Sequence, residues 1–88
     1  MISYANSAFW KAYAKLPKNI KEIAKKQYAI FEQDPYHSSL HFKKVHPIKP
    51  IYSARVNLNY RALGVLQDSN NIIWFWIGSH DDYDRLLK

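Results

Sequence analysis

The sequence predicts an α+β domain: an N-terminal helical hairpin packed on one face of a four-stranded antiparallel sheet, with a short helix to close. Apolar residues recur at helical spacing up to Asp34-Pro35 and at strand spacing afterwards, so helices come first and strands follow. The 88 residues suffice for a single domain, residues 1–88. At 48% hydrophobic and 16% aromatic they can build a core despite the small size.

Each element has its own local signal. Asn6 or Ser7 caps a first helix that runs through Ala8, Phe9, Trp10, Ala12 and Tyr13. Pro17 suits the opening turn of a second helix, where its missing N–H costs nothing. Ile20, Ile23, Ala24, Gln27 and Phe31 then share one helical face, and Lys18, Lys21, Lys25 and Lys26 fall largely on others. Asp34-Pro35 ends the helix, because the residue before proline is pushed out of the α region. Leu40 to His46 reads as the first strand, ended by the prolines of "HPIKP". Tyr52, Ala54, Val56 and Leu58 alternate with Ser53, Arg55 and Asn57 as a second strand with one polar face. Asn57 to Asn59 offers a tight turn into a third strand, Tyr60 to Gln67. After "QDSNN", Ile72 to Ile77 is apolar on both faces and suits a central strand, with Trp74, Phe75 and Trp76 as core. "HDDYDRLLK" is a closing helix or tail, acidic early and basic late as the helix dipole prefers.

Composition narrows the function classes. With no Cys there is no disulfide framework, no thiolate nucleophile and no Cys-based zinc site. No signal-peptide pattern opens the chain and no apolar run reaches bilayer length, so a soluble, cytoplasmic protein without a membrane role is expected. Residues 1–50 hold nine lysines against Glu22, Glu32 and Asp34, whereas residues 51–88 balance four basic against four acidic residues. A Lys-rich half points to an anionic partner, either nucleic acid or an acidic protein, unless it is only a solvated helix face.

The candidate chemistry lies on the strands. His37 and His41 are four apart, but "YHSSLHF" straddles a loop and a strand start rather than one helix face, so neither metal nor cofactor is expected. Lys43 and Lys44 lie on the first strand, Arg55 on the second, Arg61 on the third, and His80 just past the fourth. Antiparallel hairpins bring such positions together, so one sheet face can carry Lys, Arg, Arg and His, although adjacent Lys43 and Lys44 must face opposite ways. Such a set can hold a phosphate and move a proton. RNA cleavage by its own 2′-hydroxyl needs a base, positive charge on the pentavalent phosphate and an acid for the leaving 5′-oxygen. Arg fits the phosphate role and His the proton roles, while Tyr83 can stack on a base. The duller alternatives are solvated cross-strand partners for the arginines, a strand-exit cap for His80 and a tail-core aromatic for Tyr83.

The whole pattern resembles the RelE/ParE toxin superfamily of bacterial type II toxin–antitoxin modules. The resemblance runs in order through "FWKAYAKLP", "DPYHSSLHFKKV", "YSARVNLNYRALGV" and "IIWFWIGSHDDYDRLL", nearly the full chain. Many members open with an extra strand, for which only "MISYA" is available here, so that strand is expected to be short or absent. The resemblance implies that the sheet is curved and that a cognate antitoxin wraps the chain and covers its basic surface. RelE-like members cleave mRNA on the ribosome, whereas ParE-like members poison DNA gyrase. On the RelE-like reading, His80 is the general acid or base, Arg55 and Arg61 stabilise the phosphate, and Lys44 adds charge or helps activate the 2′-hydroxyl. Tyr83 orients the substrate, with Lys43 and His41 also in contact with it. The alternatives are a gyrase inhibitor without enzymatic activity and an inactive homologue that only binds its antitoxin.

Overall fold

The computed structural model describes residues 1–87. In chain order they form β1 (Ile2–Ala5), α1 (Ser7–Ala14), α2 (Lys18–Gln33), a 3₁₀ turn (Ser38–Leu40), β2 (Lys43–Lys44), β3 (Ile51–Asn57), β4 (Tyr60–Asp68), β5 (Asn71–Ser79) and α3 (His80–Leu87). The α+β class stands, but α1 and α2, consecutive in the chain, pack on the sheet rather than on each other as a hairpin. The sheet, however, has five strands in the order β1-β5-β4-β3-β2, and β1 runs parallel to β5, so it is mixed rather than four-stranded and antiparallel. The reason is the opening "ISYA", which pairs Ile2 with Asn71 and Ala5 with Trp74 along the free edge of β5.

The helix ends form where their sequences place them. The Asn6 side-chain oxygen accepts from the Phe9 N–H at 3.0 Å and caps α1. Pro17 precedes α2, and its carbonyl accepts from the N–H groups of Ile20 and Lys21. Asp34 leaves the helix in an extended conformation while its N–H still bonds the Ile30 carbonyl.

Strand register divides the sheet into two faces. Tyr52, Ala54 and Val56 of β3, Ala62 and Gly64 of β4, and Trp74 and Ile77 of β5 share the face that carries the helices. Phe31 from α2 meets both Phe42 and Trp74 edge-on, with ring centroids 5.3 Å apart in each case. A second cluster joins Leu16, Ile20, Val56 and Ile77 at the other end. Between Leu63 and Gly64 the partner on β5 jumps from Trp76 to Trp74, leaving Phe75 as an extra residue. That bulge sends Trp74 and Ile77 to the helix face and Trp76 to the other, which is how an unbroken apolar run serves both.

The two helices sit on different strands, α1 on β5 and α2 on β3. Over β4 they leave a groove of about 680 Å³, floored by Ala54 and Ala62 and walled by Phe9, Tyr13, Gln27 and Phe31. Among the described residues no helix is long and apolar enough to cross a membrane.

Candidate active site

On the face turned away from the helices, the three long strands align their residues in cross-strand rows. Ile51, Val65 and Ile73 form an apolar row; Ser53, Leu63 and Trp76 form the next; Arg55, Arg61 and Gly78 form the third. Directly opposed side chains start about 5 Å apart and project to the same face, and like charges so placed repel. Arg55 and Arg61 are such a pair. Arg61 is half-buried, and its Nη1 is fully buried with no hydrogen-bond partner among the described residues. An orphaned donor on a charged group costs about 1–3 kcal/mol or more. Two opposed guanidiniums on one sheet face concentrate positive charge there and suit an anion.

Lys43 pairs with Ser53 and therefore lies on the arginine face; Lys44 pairs with Tyr52 and lies on the helix face. The lysine able to reach the row is thus Lys43, not Lys44. The sequence held the signal, because Phe42 is buried and Lys44 shares its parity.

The four histidines separate by their partners. His46 Nδ1 accepts from the N–H groups of Ile48 and Lys49, and His37 Nδ1 accepts from Ser39 N–H, so both brace loops. His41 behaves differently. It ends the 3₁₀ turn in the left-handed region, φ 45° and ψ 42°, and is the one non-glycine residue with positive φ among those described. Such a conformation costs about 1–3 kcal/mol in a non-glycine residue. It is held by buried Leu40 and Phe42 on either side, and Arg55 Nη1 donates to His41 Nε2 at 3.2 Å.

His80 opens α3. Its N–H donates to the Asn59 carbonyl at 2.6 Å, which ties the end of β5 to the β3–β4 turn. Its ring stacks on Tyr83, with centroids 5.8 Å apart, and Nε2 lies 3.4 Å from Asp84 on the next helical turn. His80 follows Gly78, the residue opposite Arg61, by two positions and so lies one step along the chain beyond the arginine row. Trp76 is half-buried on the same face and covers Gly78, where a Cβ would run into its ring. Read from sequence as core, it instead borders the site, because the bulge at Phe75 inverts the parity that a continuous strand would have. The strand register thus puts Arg55, Arg61, Lys43 and Trp76 on one face with His41 bonded to Arg55, leaves His80 and Tyr83 together on α3, and sets Lys44 on the other face.

Residues 18–85 match the family model described as the ParE-like toxin domain. A comparison with curated protein sequences returns no match. Among solved structures the chain is similar to a RelB–RelE antitoxin–toxin complex from Methanococcus jannaschii, with a TM-score of 0.75 at 16% identity over 96% of this chain and 98% of that one. It is also similar to the toxin–antitoxin complex RelBE2 from Mycobacterium tuberculosis, at 0.70 and 16% over 90% of each chain. A third similar structure is a YoeB/ParE toxin from Agrobacterium tumefaciens, at 0.69 and 12% over 91% and 99%. At such identities these structures agree on the fold, and the family match covers most of the sequence: the chain belongs to the ParE-like toxin domain family.

Proposed function

We propose that this chain is the toxin of a toxin–antitoxin module and that it inhibits translation by cutting ribosome-bound mRNA. The observation that carries this reading is the opposed pair Arg55 and Arg61, with the Arg61 Nη1 buried and unpartnered among the described residues. In the reaction, the 2′-hydroxyl attacks the adjacent phosphorus and the 5′-oxygen leaves. The two arginines take the negative charge that builds on the pentavalent phosphate, and Lys43 adds to their field. His80 on α3 serves a proton transfer, Tyr83 orients the chain, and Trp76 borders the row with an aromatic surface for an unstacked base. The cognate antitoxin is the protein partner, and the basic helices suit an acidic one. The test is a translation reaction with added protein, in which mRNA breaks are mapped by primer extension. Arg61→Ala and Arg55→Ala are each expected to slow cleavage about 100–1,000-fold, the usual cost of losing one group that stabilises transition-state charge. Translation arrest with intact mRNA would sink the reading.

The family description favours one second reading, a ParE-like inhibitor of DNA gyrase. It predicts accumulation of gyrase–DNA cleavage complexes, with potency unchanged by His80→Ala.

A further inference from the structure

We infer that His41, rather than His80, is the proton acceptor of this site, and that Arg55 blocks it until an anion arrives; the inference rests on the ribonuclease reading. A guanidinium carries only donors, so in the 3.2 Å contact between Arg55 Nη1 and His41 Nε2 the imidazole nitrogen accepts. A base with that nitrogen occupied cannot take a proton. A phosphate entering between Arg55 and Arg61 competes for the same guanidinium N–H, as the stronger, charged acceptor. When Arg55 turns to the phosphate, Nε2 is released beside it.

The support for this arrangement is rigid. His41 keeps its left-handed backbone because Leu40 and Phe42 are buried on either side of it. A single side chain then ties together the turn and the strand. Gln27 of α2 donates from Nε2 to the Ser39 carbonyl at 3.3 Å and to the Arg55 carbonyl at 3.0 Å. The distance between His41 and Arg55 is thus set by one half-buried amide, as a pair working together on one phosphate requires. His80, by contrast, faces Asp84 and Tyr83 of its own helix. In the step itself, the 2′-hydroxyl proton passes to His41 Nε2 while the 2′-oxygen bonds to phosphorus. The bond from phosphorus to the 5′-oxygen breaks, and that oxygen takes a proton from protonated His80 or from water. The products are a 2′,3′-cyclic phosphate and a 5′-hydroxyl, with no other reactant consumed.

The experiment combines ring-nitrogen NMR on the full chain with cleavage in translation. A 2′-deoxy dinucleotide, which binds but cannot react, is titrated at fixed pH. It is expected to shift the His41 Nε2 resonance as Arg55 leaves it, and Arg55→Lys is expected to remove that response. His41→Asn tolerates the left-handed backbone and offers Arg55 an acceptor oxygen. It is expected to keep dinucleotide affinity within about twofold, yet to cleave mRNA about 100-fold or more slowly, the low end for loss of a general base. Dinucleotide binding without movement of the His41 ring, or a His41→Asn protein that cleaves normally, overturns the inference alone. A wild-type protein that neither binds the dinucleotide nor cuts mRNA overturns the ribonuclease reading, and this inference with it.

Discussion

At Gly64 the helix face has no room for a side chain. A Cβ there would sit 2.8 Å from Ile72 Cδ1 and 2.9 Å from both Ile72 Cγ1 and Trp74 Cε3, and both neighbours are buried. Packing one methyl into a filled core costs about 1–3 kcal/mol, so Gly64→Ala is expected to lower the urea midpoint by that much stability with an unchanged slope. A Gly64→Ala protein as stable as wild type would show that the core relaxes more readily than this packing implies. Single positions were legible in the sequence where alternation alone decides them. Arg55 falls on the polar parity of a clearly alternating strand, and register sets Arg61, the one charged residue beside Leu63 and Val65 on its parity of β4, opposite it. Burial of Phe42 on the helix face fixes the parity of the residues beside it, so Lys43 rather than Lys44 shares the arginine face. Trp76 was illegible, since an apolar run carries no mark of where a bulge inverts it.

Among the elements, the β4–β5 turn shows how a short loop fixes register. Asp68 accepts from the Asn70 N–H at 2.7 Å and from the Asn71 side-chain amide at 2.8 Å. These contacts, the Asn70 N–H foremost, hold its carboxyl below the usual carboxylate range. A lowered folded-state pKa contributes stability above the unfolded value, and that contribution is lost as pH falls through the folded one. Asp68→Ala is therefore expected to melt below wild type at pH 7, with the gap narrowing once pH falls below about 4. A gap of constant size down to acid would mean that the carboxylate charge plays no part. The helices and the three long strands were readable because periodicity and turn residues are local. β2 was not: the left-handed backbone at His41 ends the 3₁₀ turn, so only Lys43 and Lys44 of the expected Leu40–His46 strand pair with β3. β1, expected to be short or absent, is a four-residue strand whose pairing the sequence did not reveal. Its partner lies at the far end of the chain, and Ile2 and Tyr4 are exposed, against the usual inward alternation.

The whole molecule sets two surfaces back to back across one sheet, the arginine row on one face and the groove between α1 and α2 on the other. The groove is open because its floor is alanine, and exposed Tyr4, Trp10 and Tyr28 stand among its lining residues. Trp74 also lines it, and its buried indole N–H has no partner among the described residues. Lys25 lines the groove and Lys21 lies over the Tyr13 ring, while α1 and α2 together carry five lysines against two glutamates. Aromatic side chains around a concave apolar strip, set among positive charge, suit an amphipathic helix with acidic flanks, and the proposed antitoxin is the partner to supply it. Its carboxylates or carbonyls would give the Trp74 N–H the acceptor it lacks. Arg55 also lines the groove, so binding and catalysis separate at Trp10, which lies on α1 and not on the arginine face. Trp10→Ala is thus expected to weaken antitoxin binding by at least about 2 kcal/mol, roughly 30-fold, while leaving mRNA cleavage by the free protein unchanged. Lys25→Glu should weaken binding further at low salt than at high salt, since its part is electrostatic. Calorimetric titration of the two purified proteins at two ionic strengths decides the matter. Antitoxin affinity indifferent to Trp10→Ala would place the partner on another surface.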